Sequence, residues 1–293
     1  MSDDFRLDRR QLRRTFDRAA GSYEDHDVLQ QEVQQELLSR LDFYLDKPAR
    51  VLDVGAGTGR GTALLKKRYG KAEVIALDLS TAMLRHSRRH RKLLRPFACV
   101  GGDAVQLPLA DHSIDVLHAN LCFQWVDRPA DLFAECVRVL TPGGFLVFST
   151  YGPDTLRELR SAWAGSDTDP HVGRFLDMHD IGDAMLHAGL RDPVLDVGRY
   201  TLTYADPQGL LRDLKGLGAT NADVTRRRGL TGRHRFRRML DAYETLRTDG
   251  RIPATWEVVT AHAWGPQPGQ PRRLPGGGDM ASFPVQQLRG TRR

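Results

Sequence analysis

Residues 51–65, VLDVGAGTGRGTALL, run an apolar stretch directly into four glycines at alternate positions, Gly55, Gly57, Gly59 and Gly61. Glycine is costly to order, and a cluster of it marks a turn with unusual backbone angles or a close approach of backbone to something else. Following an apolar run and preceding TALLKKR, it reads as a strand turning abruptly into a helix. That unit opens a series. Strands are expected at 50–56, 72–80, 97–104, 113–121 and 145–151, and helices at 59–70, 80–94 and 127–140, with Ser80 as an N-cap and TPGG at 141–144 as a closing turn. Short apolar strands alternating with helices imply an α/β fold, with a mostly parallel sheet covered by helices on both faces.

The flanks read differently. Residues 9–45 are expected to be helical, LQQEVQQELLSRLDFYL most strongly. Beyond the core, helices are expected at 155–166, 178–190 and 207–219, with strands at 193–205 and 254–265. The stretch from Pro266 to Met280, PQPGQPRRLPGGGDM, has the composition of a linker. No run approaches the roughly 18 apolar residues of a membrane span, and the N-terminus has no apolar signal segment. Cys99, Cys122 and Cys136 form no CxxC pair, which argues against a zinc or disulfide framework and fits a cytoplasmic location. The net charge of +6 is uneven. Residues 85–95 carry six Lys/Arg and no acid, and 226–251 carry nine Arg against Asp241, Glu244 and Asp249. Two local basic patches describe the chain better than a uniformly nucleic-acid-coating surface.

The glycines fit neither common phosphate loop. G-x-G-x-x-G fails because residues 60 and 62 are Arg60 and Thr62, and no Gly-Lys-Ser/Thr follows. The chain reads Asp53-x-Gly55-x-Gly57-x-Gly59, with Asp78 closing the second strand, Asp103 in GGDAVQLPL, Asn120-Leu121 ending the fourth strand, and LTPGGFLVF beyond. This succession resembles the class I S-adenosylmethionine-dependent methyltransferases and implies their Rossmann-like fold and that cofactor. The resemblance implies cofactor binding by Asp53, Gly55, Ala56, Gly57, Gly59, Asp78, Leu79, Met83, Asp103, Ala104, Asn120 and Leu121. Asp53 would orient the loop or meet the ligand's ammonium, Asp78 the ribose hydroxyls and Asp103 the adenine amino group. The glycines would clear the floor for the methionine end.

The flanking segments TFDRAAGSYEDHDVLQQEVQQELL, NLCFQWVDRPADLFAECVRVLTPGG, GPDTLRELRSAW, PHVGRFLDMHDIGDAM and LLRDLKGLGATNA resemble the BioC family, the malonyl-[acyl-carrier protein] O-methyltransferases of biotin synthesis. The likeness spans residues 14–264 and implies a lid segment at 1–46, a methyltransferase domain at 47–264 with a helical substrate-side insertion at about 152–240, and a flexible tail at 265–293. A malonyl carboxylate is already ionised at neutral pH, its pKa lying near about 4. The reaction therefore asks for orientation and a cation rather than a base. Arg160 and Arg174 are the candidate cations, with Tyr23, Gln124 and Trp125 shaping the acceptor side. An acidic acyl carrier protein would dock on the basic surface at 226–238, whereas 85–95 reads as a solvated helix. Neither a nucleic-acid nor a membrane partner is expected, nor a metal.

Other readings stay open on the sequence. DTLRELR and IPATWEVV are similar to stretches of the complex I assembly factors, which implies protein-arginine hydroxylation, although no mitochondrial-type leader is visible. An RNA or small-molecule methyltransferase is a second. The basic stretch holds only Phe236 as a stacking platform, and Asn120-Leu121-Cys122-Phe123 lacks the N/D-P-P-Y/F pattern of amino-group methylation. A non-catalytic S-adenosylmethionine-binding scaffold is a third.

Overall fold

The computed structural model describes residues 6–269, together with 272–273 and 279–280. In chain order the elements are α1 (Arg9–Ala19), α2 (Val28–Arg40), β1 (Arg50–Val54), α3 (Arg60–Arg68), β2 (Glu73–Asp78), α4 (Thr81–Ser87), β3 (Ala98–Gly101), β4 (Ile114–Ala119) and α5 (Pro129–Val139). Then follow β5 (Leu140–Tyr151), α6 (Arg157–Ala164), α7 (Met178–Ala188), β6 (Arg191–Tyr204), α8 (Pro207–Gly216), α9 (Arg233–Glu244) and β7 (Ile252–Trp264). A short antiparallel pair, β8 (Arg272–Arg273) and β9 (Asp279–Met280), completes the described chain.

Seven strands form one sheet in the order β3-β2-β1-β4-β5-β7-β6. The first five pair in parallel, and β7 runs antiparallel between β5 and β6. The fold is therefore the α/β, mostly parallel arrangement that the alternation implies. Successive strand residues point to opposite faces. Leu52, Leu117, Leu146 and Phe148 pack on one side, and Val51, Val116, Phe145 and Val147 on the other, all buried. A third cluster, with Tyr151, Leu159, Leu210, Met239, Tyr243 and Trp256, lies under α6, α8 and α9, giving the substrate-side segment its own core. Helix starts follow capping chemistry: Asp8 accepts from Gln11 N, Ser80 from Met83 N and Asp206 from Gly209 N, and Pro129 and Pro207 open α5 and α8.

Two local expectations are corrected, and one helix is added. Helix α4 stops at Ser87, not near 94, because Ser87 Oγ donates back to Leu84 O and five cations with no acid follow by residue 95. TPGG does not stand apart as a turn. It lies within β5, where Gly143 takes φ +73° beside an irregularity in the β4–β5 register. The basic stretch 226–238 contains the start of a helix, α9, whose Met239 and Tyr243 are buried. The tail expected at 265–293 lies outside the described residues except for 265–269 and the two short strands.

Candidate functional site

Parallel strands leave their carboxyl ends on one edge of the sheet, and the site lies there. Gly55, Gly57 and Gly59 have φ of +68°, +54° and +83°, a region closed to most side chains. Their environments separate their roles. A Cβ on Gly55 would strike the Cys122 side chain, one on Gly59 would strike Ser87, and one on Gly61 would approach Gln34 Oε1 of α2 at 2.7 Å. Only Gly57 meets nothing within 4 Å. Of the four glycines, then, Gly57 gives open floor to a ligand, while Gly55, Gly59 and Gly61 let other parts of the protein close in.

Asp78 holds the loop. Its Oδ2 accepts Gly57 N–H at 2.8 Å and its Oδ1 accepts Ser80 N–H at 2.7 Å. Burial pushes its pKa up to about 6 against the pull of those two bonds, helped by the charges of Asp53 and Asp17. Asp53 turns inward. It is buried, its Oδ2 accepts the Thr62 hydroxyl, and its Oδ1 lies 2.7 Å from His118 Nδ1. The fully buried His118 meets Gln34 Nε2 at 3.0 Å through Nε2. With a carboxylate on Nδ1, the imidazole donates there and accepts from Gln34. Asp53 thus takes the loop-orienting role, linking β1, α3, β4 and α2.

A cavity of about 90 Å³ beside the loop is lined by Gly55, Gly57, Asp78, Leu79, Met83, Asp103, Ala104, Asn120 and Leu121 from the expected cofactor residues. Leu12 and Phe16 of α1, Tyr23, Cys122, Trp125 and Val126 close it. Asp53 and Ala56 line an adjoining cavity of about 60 Å³, whereas Gly59 lines neither. Asp103 is bound by Arg9 of α1 and by Val105 N–H at 3.2 Å, so an arginine from the N-terminal helix lies against the carboxylate expected to meet adenine. Asn120 donates to Gln30 O at 2.9 Å and accepts Ser149 Oγ at 2.8 Å, while Leu121 carries φ +45°, a strained angle where β4 ends.

On the other side of Trp125, whose ring meets Phe16 edge to face at 5.4 Å, lies a second cavity of about 60 Å³, which Trp125 lines as it lines the first. Gln124 and Arg174 join this to a third, of about 580 Å³. Gln124 Nε2 donates to Leu121 O at 2.6 Å, so its amide is fixed. The Tyr23 hydroxyl is raised above its ordinary pKa by burial and by the charges of Asp27 and Asp78, and stays neutral.

The two candidate arginines part company here. Arg160 donates to the carbonyls of Pro153, Thr155 and Gly173 at 2.9, 3.3 and 3.3 Å, and burial lowers its pKa. Its guanidinium clips three backbone segments together and lines none of these cavities. Arg174 is exposed and has no hydrogen bond or ion pair among the described residues. The basic surface is likewise reduced: Arg226 pairs with Asp8, Arg227 with Asp169 and Arg235 with Asp167, and Arg238 donates to Ser166 O. Arg228, Arg233 and Arg237 remain exposed and unpaired among the described residues.

Asp167, Asp169 and His171 have ligand atoms within 4.8 Å of one another. Arg227 and Arg235 reach the same carboxylates at 3.6 and 3.7 Å, which makes the group an ion-pair cluster. No helix among the described residues is long and apolar enough to cross a membrane. Arg9, Gln34 and His118 were missed from the sequence. No local pattern marks them, because each acts across the fold on a residue far away in the chain, Arg9 on Asp103, His118 on Asp53 and Gln34 on His118.

Comparison with known proteins adds the following. A methyltransferase domain family matches residues 52–148. The malonyl-[acyl-carrier protein] O-methyltransferase of Laribacter hongkongensis is 48% identical over 97% of this chain and 98% of its own. That of Xylella fastidiosa is 47% identical over 94% of each. Among solved structures, Haemonchus contortus phosphoethanolamine N-methyltransferase 2 in complex with S-adenosyl-L-methionine superposes with a TM-score of 0.53 at 17% identity, covering 86% of this chain and 57% of that one. At that identity the likeness concerns the fold.

Proposed function

The chain belongs to the malonyl-[acyl-carrier protein] O-methyltransferase family, and we infer from that premise how its residues divide the work. The protein is an S-adenosyl-L-methionine-dependent enzyme that methylates the free carboxylate of a malonyl thioester on acyl carrier protein, giving the methyl ester that primes pimeloyl synthesis in the biotin pathway. Arginine hydroxylation is not favoured by these relatives.

The donor-side residues suit the cofactor: Gly57 leaves bare floor, and Asp78 offers carboxylate lone pairs beyond the two that its backbone bonds use. When bound, S-adenosyl-L-methionine supplies a methyl group on a positively charged sulfur. The residues of this chain hold and orient. Asp78 receives the ribose hydroxyls, Asp103 the adenine amino group, and the Gly55–Gly57 backbone the methionine end. Asn120 and Leu121 form the wall beside Trp125. Arg174, the uncommitted guanidinium next to Gln124, holds the malonyl carboxylate in a bidentate fork. Tyr23, Trp125 and Phe16 exclude water, and no residue need remove a proton. Residues 1–46 act as the lid and about 152–240 as the substrate-side insertion. The carrier protein docks at 226–238 through Arg228, Arg233 and Arg237. Three free cysteines support a reducing, cytoplasmic setting.

The observation that carries this reading is a free guanidinium one cavity away from a donor cavity that ends at Asn120 and Trp125. The test is incubation with methyl-labelled S-adenosylmethionine and malonyl-carrier protein, malonyl-CoA or free malonate, followed by mass spectrometry. Labelled methyl ester on the carrier thioester, lost in Asp78→Ala, supports it. Cofactor binding without methylation of any malonyl species sinks it.

A further inference from the structure

The cavity of about 580 Å³ is much larger than a three-carbon acyl group needs, and the donor and acceptor cavities of about 90 and 60 Å³ already flank the reacting groups. Its floor is apolar: Phe123, Leu132, Phe133, Phe148, Leu176 and Ile181 line it. Its charged groups are four arginines against two aspartates, Asp127 and Asp180. Arg9 is held by Asp103 and Arg128 by Asp131, and Asp127 accepts Leu7 N–H at 3.0 Å. Arg174 and Arg6 remain unpaired among the described residues, Arg174 where this cavity meets the acceptor cavity and Arg6 on its exposed lining. A large pocket with an apolar floor and a separate free cation suits a ligand whose middle is methylene and amide and which carries a further anion away from the reacting end.

The position of Arg6 says where such a ligand comes from. Residues 6–8 lie as a strap beside 222–226: Val224 N–H donates to Arg6 O at 2.9 Å, Asp8 N–H to Ala222 O at 2.8 Å, and Arg226 pairs with Asp8. The Arg6 lining of the cavity therefore adjoins the segment to which carrier docking was assigned. We propose that this cavity is the channel for the phosphopantetheine arm that tethers the malonyl group, with Arg6 binding the phosphodiester and Leu176 and Ile181 flanking the tether. The proposal rests on the methyltransferase reading above. It adds that the enzyme recognises the tether as well as the acyl end.

The test compares two small acceptors, malonyl-phosphopantetheine and malonyl-pantetheine, which differ only in the phosphate. A charge-assisted contact contributes enough for wild-type kcat/KM to favour the phosphorylated acceptor by about tenfold. In Arg6→Gln that preference falls to near unity. Leu176→Trp, which fills the channel, lowers kcat/KM for both acceptors by at least about tenfold without weakening S-adenosylmethionine binding, measured separately by calorimetry as a check on folding. A preference that survives Arg6→Gln, or full turnover of both acceptors by Leu176→Trp, overturns the channel while leaving the methyltransferase reading intact. Cofactor binding with no methylation of either acceptor or of malonyl-carrier protein by the wild type overturns both.

Discussion

On the donor side of Trp125, polar groups are held by fixed hydrogen bonds from backbone N–H groups and neighbouring side chains. Gly57 and Ser80 N–H groups hold Asp78, and Asp53 is locked between Thr62 and His118. On the acceptor side, the corresponding groups are exposed side chains on connecting segments: Arg174 between α6 and α7, and Arg6 on the strap ahead of α1. The first arrangement is preorganised and tolerates little change. The second leaves its cations free to be organised by substrate, which suits an acceptor that arrives on another protein.

The sharpest way to break this contrast is at Gly55. Gly55→Val puts a branched side chain at φ +68° and into Cys122, so S-adenosylmethionine affinity should fall by more than about 100-fold, with a stability loss of about 1–3 kcal/mol from backbone strain. Calorimetry and thermal melts read both, and near-wild-type binding would show that the loop is not preorganised.

The two candidate arginines give the next largest effect. Arg174→Ala should cut kcat/KM for malonyl acceptors by about 10–100-fold through loss of a charge-assisted pair, with cofactor affinity unchanged. Arg160→Ala should instead lower stability by about 0.5–1.5 kcal/mol, since it removes the donor that joins the carbonyls of Pro153, Thr155 and Gly173. If kinetics rather than the melting curve responds to Arg160, the assignment of the two residues is reversed.

Asp78 sharpens the donor side through pH. Its folded pKa of about 6 lies above the ordinary carboxyl value, so the protein takes up a proton there as pH falls through about 6. Because the excess proton is bound in the folded state, this group makes the ligand-free protein relatively more stable as pH falls from about 6 toward its unfolded pKa near about 4. Cofactor binding has the opposite sign, since the ribose hydroxyls need the ionised carboxylate. Affinity should weaken by about tenfold from pH 7 to pH 5. Asp78→Asn, weaker throughout, should lose that slope. A flat titration in the wild type would remove the carboxylate from ribose binding.

The smallest effect is at the docking surface. Reversing Arg228, Arg233 and Arg237 to Glu should slow capture of malonyl-carrier protein several-fold at low salt and far less at high salt, as steering does. Reversing the six cations of 85–95 should leave that rate unchanged. Equal sensitivity of the two patches, followed by stopped-flow fluorescence, would dissolve the assignment.

Legibility followed the range over which each feature is decided. The five parallel strands and the D-x-G-x-G-x-G loop were readable because periodicity and positive-φ glycines are local properties. Helix α9 was not, because its arginine-rich face hides the apolar positions Met239 and Tyr243 that bury it. The α4 boundary was misplaced because charge repulsion and a serine back-bond, not apolar spacing, end that helix.

The order of strands and turns, the loop that meets the cofactor and the family of the chain were set by residues close together in sequence, where backbone conformation and side-chain alternation are fixed. What tertiary structure alone decided was which charges are spent. Arg160 and Arg174 look alike in sequence, yet one is consumed by three carbonyls and the other is free. Asp53 and Asp78 both lie at the carboxyl ends of neighbouring strands, yet one turns inward to His118 and the other faces the donor cavity. A guanidinium whose N–H donors are taken up by carbonyls in the fold has few left for a ligand, whereas a carboxylate that accepts one or two bonds still has lone pairs to offer.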